Sequence, residues 1–412
     1  MDIPGLPARR AALSLLDAVL RRGETLDQAA NAALRRVRGE PDKALARAIA
    51  GEVLRWKQDL DALIDSATKQ RLPEDAKPRQ VLAMMLAQWL RFETPPHAVI
   101  ATGLPLLVGG PRRLAHGVFS SLVKRAASLP AMPTLPDAVR LGWGERGEEI
   151  ARGLALPPLL DLTLKEPGRT AEWAETLGGV SLMPGHLRLP RGDAVSLLPG
   201  YGDGAWWVQD LAASLPARLL GEGGGRTVLD LCAAPGGKTL QLAAAGWQVT
   251  ALDKSKRRLE RMRDNLSRTG LSAQIITADA LEWQPGAPFD AIVLDAPCTA
   301  TGTCRRHPDV LHRIGPAHIA EMAELQSAML ERALGWLAPS GTLVYAVCSL
   351  EREEGEDQMA RLTLTPDPIR ADELPGGIAP SLEGWLRTDP GMLPDAGGLD
   401  GFFIARLVNK PV

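Results

Sequence analysis

Past residue 221 the chain alternates short apolar runs with amphipathic stretches of helix length, and few folds accommodate that pattern. The runs are 227–231, 248–253, 273–277, 289–295 and 341–348. Parallel strands buried on both faces read as near-continuous apolar segments, and each needs a crossover element before the next. The pattern therefore predicts an α/β domain built on a doubly wound parallel sheet. Between the last two runs, Ile319, Met322, Leu325, Met329, Ala333 and Leu337 predict one long helix packed on that sheet. A final run, 401–407, is read as an edge strand.

The first 130 residues follow a different period. From Ala8 to Ala127 the apolar positions repeat at three and four, as in Ala12, Leu15, Leu16, Val19 and Leu20, which predicts a helical bundle. Pro130, Pro133 and Pro136 then interrupt regular structure and mark a linker. At 412 residues the chain exceeds one hydrophobic core. The expected organisation is multidomain: an all-α bundle over 1–129, a small mixed α/β segment over 138–220, and the α/β domain over 221–412.

Charge follows the same division. Residues 1–130 carry 20 Lys and Arg against 13 Asp and Glu, whereas the remainder carries 27 against 36. A basic module ahead of an acidic one suits contact with a polyanion through its phosphates. No apolar run reaches the ~18 residues of a membrane span, and the N-terminus lacks a signal-peptide layout, so a cytoplasmic location is expected. The four cysteines, Cys232, Cys298, Cys304 and Cys348, lack the paired short spacings of a zinc site. No metal is expected, and the thiols are read as reduced.

Between the first and second strands lies the small-residue turn Cys232, Ala233, Ala234, Pro235, Gly236, Gly237, Lys238. A triphosphate loop would need glycine where Cys232 stands, and no dinucleotide fingerprint is present. What remains is a strand carrying Asp230, then a turn that lets a ligand approach the backbone closely. Asp230 is placed to hold the amino group of a methionine moiety. Asp253 ends the next strand, where a carboxylate accepts from ribose hydroxyls, and Asp279 follows the third, in reach of an adenine amino group. Carboxylates at three strand ends suit a cofactor with an ammonium, a ribose and no phosphate, which describes S-adenosyl-L-methionine.

Cys298 and Cys348 each follow a parallel strand directly, at the carboxyl ends where such sheets bind ligands. Two thiols beside a methyl donor suit cytosine, whose C5 is a poor nucleophile until a thiolate adds at C6. Asp295, three residues before Cys298, is placed to hydrogen-bond N3. A second polar group then has work to do when the C5 proton leaves and the thiol is eliminated. Spacing alone does not decide which cysteine is the nucleophile. Arg305 and Arg306, in the polar loop that follows, are candidate phosphate clamps for a flipped nucleotide.

Together Asp230-Leu-Cys-Ala-Ala-Pro-Gly-Gly-Lys-Thr239, Asp295-Ala-Pro-Cys298, Tyr345-Ala-Val-Cys-Ser349 and Gly398-Leu-Asp-Gly-Phe-Phe403 resemble the RNA cytosine-C5 methyltransferases, in the bacterial 16S rRNA branch. The similarity covers roughly 195–408. Asp42 to Arg55, Leu60-Asp61 and Pro95-Pro-His-Ala-Val99 resemble the NusB-like RNA-binding domain that precedes the catalytic part in that branch.

The resemblance implies a Rossmann-like class I methyltransferase domain, with Cys348 as nucleophile and Cys298 assisting release. Cys232 to Lys238, Asp230, Asp253, Asp279 and Asp295 would be cofactor positions. The implied partner is RNA, either 16S rRNA or a small-subunit assembly particle. The same chemistry on tRNA, and a non-catalytic RNA-binding assembly factor, are the alternatives. One departure falls near the site: Glu353-Glu354 is followed by Gly355, where the family usually has Asn.

Overall fold

The computed structural model describes residues 3–192, 194–362 and 365–409. The chain forms two compact units, Met1–Leu156 with Cys304–Gly315, and Pro157–Thr303 with Pro316–Val412.

The first unit is helical: α1 (Leu6–Arg22), α2 (Leu26–Leu34), α3 (Glu40–Arg55), α4 (Lys57–Ser66), α5 (Lys77–Arg91), α6 (Pro96–Gly103), α7 (Gly109–Lys124), α8 (Asp137–Trp143) and α9 (Gly147–Leu154). α5 is its centre, with Val81 to Ala87 buried in one run, as expected of a helix surrounded by others. At its first turn Arg79 is 1% exposed and reaches Asp61 at 2.8 Å and Asp65 at 2.7 and 2.9 Å. Bidentate pairing of this kind lets a guanidinium enter a core. Residues 304–315 belong to this unit: the Asp309 carboxylate accepts from Leu26 N, Arg55 donates to Arg305 O at 2.8 Å, and His312 lies 2.7 Å from Leu54 O.

The second unit begins with a three-stranded antiparallel sheet of β1 (Leu160–Leu164), β2 (His186–Leu189) and β3 (Trp206–Val208), β1 in the middle, with α10 (Thr170–Leu177) between the first two strands. Asp161 of β1 is buried and takes both arms of Arg188 at 2.6 and 2.7 Å. Burial pushes its carboxyl up, and the Arg188 guanidinium, with His186, outweighs that and holds it well below the usual carboxylate range.

After α11 (Leu211–Arg218) the large sheet is laid down by β4 (Thr227–Leu231), α12 (Gly237–Ala244), β5 (Gln248–Asp253), α13 (Lys256–Thr269), β6 (Gln274–Thr277), β7 (Phe289–Asp295), α14 (Pro316–Gly335), β8 (Leu337–Val347), α15 (Glu356–Met359), β9 (Thr365–Pro366), β10 (Leu386–Thr388) and β11 (Phe402–Val408). Its order is β10-β11-β8-β7-β4-β5-β6, with β9 beside β11. β4 to β8 run parallel, and β11 returns antiparallel to β8. Side chains alternate between two cores. Val228, Val293 and Val344 pack with Leu215 of α11 and Leu242 of α12, while Leu229, Ile292 and Leu343 pack with Met329 and Ala333 of α14.

From β4 the chain runs outward to β5 and β6, then returns to place β7 on the other side of β4. That reversal opens a crevice at the carboxyl ends of β4 and β7, where sheets of this kind bind ligands.

Three details differ from expectation. The final strand, read as an edge, lies inside the sheet, because β10 pairs along its outer side while β8 holds the other. Leu337 does not end the long helix but opens β8, pairing with Phe289, so β8 starts four residues before the predicted run. The buried face of α14 also includes a polar residue, Gln326, which the apolar pattern skipped.

Candidate active site

Asp230 stands on β4 at the reversal and is completely buried. Its Oδ2 accepts from Thr239 Oγ1 of α12 at 2.5 Å, and its Oδ1 has no partner among the described residues. Burial pushes its carboxyl up to about 7. An unpaired carboxylate oxygen in the wall of a cavity is a site for a cation, and the cavity here, about 420 Å³, is also lined by Trp207, Cys232, Lys238, Asp295 and Phe402. An ammonium group fits that oxygen.

The turn after β4 is tied to β5. Cys232 holds a left-handed backbone (φ 60°), Ala233 N donates to Leu252 O at 3.0 Å, and Ala234 N donates to Asp253 Oδ2 at 3.1 Å. Asp253 is buried, and its other oxygen accepts from Ser255 N at 2.8 Å. Each oxygen thus keeps one lone pair for a further donor. Asp279 is exposed just past β6 and caps Leu281 N at 2.9 Å. Asp253, Asp279 and Pro297 line a second, smaller cavity of about 80 Å³, and Cys232 lines both. The turn therefore separates a cavity walled by Asp230 from one walled by Asp253 and Asp279, an arrangement that suits the two ends of S-adenosyl-L-methionine.

Beyond the turn, Lys238 at the start of α12 reaches the end of β7, its Nζ 2.7 Å from Asp295 Oδ2 and 5.5 Å from the Phe402 ring centroid. Cys298 and Cys348 close the ends of neighbouring β7 and β8, with their sulfurs 3.4 Å apart. The contact with Cys348, then burial, pushes the Cys298 thiol well up. Burial also raises the Cys232 thiol. Neither Cys298 nor Cys348 lines the two cavities; both are half-buried beside them.

What holds the two thiol turns together is a residue the sequence reading passed over. Glu354 is fully buried and accepts from Thr299 N at 2.9 Å, Thr299 Oγ1, Ser349 Oγ at 2.7 Å and Gln326 Nε2 at 2.8 Å. Thr299 follows Cys298 and Ser349 follows Cys348, so one carboxylate clamps both turns. A Glu seven residues past the end of β8, and a Gln on the buried stripe of α14, were the available signals. Gly302 and Gly401 cross backbone to backbone in the same place: Gly401 N donates to Gly302 O at 2.8 Å, and Gly302 N donates to Cys348 O at 3.0 Å. A Cβ at Gly302 would lie 1.9 Å from Gly401 O. At Gly355, where the family usually has Asn, a Cβ would meet Phe403 at 2.7 Å and Arg387 at 2.6 Å. Arg305, a candidate clamp, is 3% exposed within the helical unit and does not present its guanidinium to solvent.

The comparisons with known proteins agree with this architecture. The 16S rRNA methyltransferase RsmB/F family matches residues 217–408, and the NusB family matches 6–106. Ribosomal RNA small subunit methyltransferase B of Klebsiella pneumoniae is 32% identical and that of Xylella fastidiosa 33%, each over 98% of this chain and 98% of its own length. Among solved structures, NSun6 from Pyrococcus horikoshii with SFG shares the fold at TM-score 0.58 and 21% identity, over 67% of this chain and 99% of its own. Another matches over 99% of both chains at TM-score 0.72 and 22% identity. The second unit has the Rossmann-like methyltransferase fold and the helical unit the NusB fold. With near-complete relatives above 30% identity, this chain belongs to the RsmB/F family of 16S rRNA methyltransferases.

Proposed function

We propose that this enzyme methylates C5 of a cytosine in 16S rRNA through a covalent cysteine adduct. The observation that carries the reading is the pair of thiols 3.4 Å apart, with an Asp295–Lys238 pair at 2.7 Å on the strand end that carries Cys298. S-adenosyl-L-methionine, when bound, supplies the electrophilic methyl group. Asp230 holds its ammonium, Asp253 and Asp279 accept from its adenosine end, and the backbone of Cys232 to Gly237 forms the wall between.

Cys348 adds to C6 of the cytosine as a thiolate. The Lys238 ammonium passes a proton to Asp295, which as a carboxylic acid donates it to N3 while the ring takes up charge, and the proton returns by the same route on elimination. Two sulfurs this close do not both ionise, so Cys298 keeps its proton while Cys348 is the thiolate. Adduct formation removes the charge on Cys348 and with it the main influence that holds Cys298 protonated. Cys298 then releases its own proton to solvent; once C5 has taken the methyl group, the Cys298 thiolate accepts the C5 proton, and elimination restores the Cys348 thiolate.

In the functional division we propose, residues 1–129 dock RNA, 138–220 connect, and 221–412 transfer the methyl group. The substrate is 16S rRNA or a small-subunit assembly particle in the cytoplasm. No helix among the described residues is long and apolar enough to cross a membrane. Two variants test the mechanism: Cys348→Ala abolishes transfer without a protein–RNA adduct, and Cys298→Ala accumulates one. An adduct in the first variant instead would reverse the roles. Bisulfite sequencing of RNA from cells with and without the protein tests the substrate, with loss of one protected cytosine in 16S rRNA expected and loss in tRNA overturning the assignment.

A further inference from the structure

The second unit lies in the acidic part of the chain, yet one helix in it departs sharply from that balance. Between 254 and 269 there are seven Lys and Arg against two acids, Glu260 and Asp264. Leu259, Met262, Leu266 and Thr269 are the buried face of α13, and Lys254, Lys256, Arg257, Arg258, Arg261 and Arg263 are all exposed. The buried face of the helix therefore contains none of these six cations.

Two features make them poor choices for stability. Lys256, Arg257 and Arg258 occupy the first turn, which has no acidic residue, so three positive charges face the positive end of the helix dipole. Among the described residues, Lys254, Lys256, Arg261 and Arg263 also have no carboxylate within 4 Å, and Arg258 has only Asp253 at 3.7 Å. A helix selected only to cover the sheet gains nothing from this arrangement. A surface that meets a polyanion does.

The helix also runs along the site. At its start Arg258 donates to Ala234 O of the cofactor turn and lines the smaller cavity; at its end Asn265 and Arg268 line the larger one. Arg268 stacks 4.2 Å over Tyr201, another residue of that wall, and its Nε is buried without a partner among the described residues. Fourteen residues span about 21 Å, enough for several backbone phosphates in succession.

We infer that the solvent face of α13 is a docking track for the sugar-phosphate backbone of a single-stranded RNA segment beside the target base. This rests on the proposed RNA substrate and adds a contact surface outside the helical unit.

The test is the full-length variant K256Q/R257Q/R261Q/R263Q, none of whose positions holds cofactor or reacting atoms. Binding of transcribed 16S rRNA is measured by filter retention across a salt series. Each lost single-strand phosphate contact lowers the slope of log K against log salt by about 0.7. The expected result is a slope smaller by about 1.5 to 3 and affinity at least tenfold weaker near physiological salt, with S-adenosyl-L-methionine affinity and melting temperature unchanged. An unchanged slope overturns the track, as does loss of binding to anionic vesicles in place of RNA. Because the readout is binding, wild-type enzyme that binds RNA but methylates none of it refutes the proposed reaction while leaving the track to be judged on the slope.

Discussion

Replacing Glu354 with Gln asks whether one buried carboxylate keeps the two thiol turns in register. Four neutral donors converge on its two oxygens: Thr299 N, Thr299 Oγ1, Ser349 Oγ and Gln326 Nε2. A glutamine oxygen can retain two of them. Its NH2 group faces the other two, donor against donor, so two charge-assisted hydrogen bonds are lost at about 1.5–3 kcal/mol each. Release from burying a charge offsets part of this, leaving a net cost of about 2–4 kcal/mol. For a unit of this size that lowers Tm by roughly 5–15 °C.

The same substitution has a chemical signature that simple loss of stability does not share. Glu354 contributes to raising the Cys298 thiol, behind the Cys348 contact and burial. With the charge gone the Cys298 pKa falls, so iodoacetamide labels Cys298 faster at fixed pH, as read by mass spectrometry on the folded variant. Methyl transfer falls at least tenfold, which needs only about 1.4 kcal/mol of lost alignment. A melting temperature within a degree of wild type, with unaltered labelling, refutes the clamp.

Asp230→Asn has an effect whose sign depends on pH. The wild-type carboxyl lies at about 7 when folded against 3.8 ordinarily, so the folded state holds the proton more tightly; the resulting stabilisation is full below about pH 4 and is lost as pH rises through 7. Three units correspond to about 4 kcal/mol, so the apo variant melts above wild type at pH 8 and close to it at pH 4. Cofactor affinity, measured by calorimetry, rises with pH through 7 in the wild type and stays low and flat in the variant. Asp161→Asn leaves the Arg188 guanidinium buried without its counter-charge and costs about 3–5 kcal/mol, read as a lower denaturant midpoint. Gly302→Ala forces a Cβ to 1.9 Å from Gly401 O, so the thiol turns separate and methyl transfer is lost; an active G302A enzyme contradicts the described crossing.

How much of this was legible in the sequence depended on the range of the interaction. β4, β5 and β7 were readable to the residue because a strand buried on both faces must be apolar along its whole length, and polar residues at its end mark where burial stops. The bundle was readable because each helix repeats its own buried positions. Leu337 was misread for the same reason: it lies four residues after Ala333, and a helical period continues to fit after the helix has ended. What decides the matter is its pairing with Phe289, which no local pattern contains.

The site divides along the same line. Carboxylates at strand ends announce themselves, since strand ends are where a doubly wound sheet places its ligands. The clamp does not: Thr299, Gln326, Ser349 and Glu354 become neighbours only once β7 and β8 pair and α14 crosses them, and each alone reads as an ordinary polar residue. The path of residues 304–315 was equally hidden. Arg305 follows Cys298 by seven positions, which suggested a shared site, yet its segment packs in the helical unit, where its carbonyl receives Arg55. Proximity in sequence is therefore a sound guide within a strand and its turn and a poor one beyond it. Roles assigned to exposed cations should instead be sought where charge stands without a carboxylate partner, as at Lys254, Lys256, Arg261 and Arg263 among the described residues.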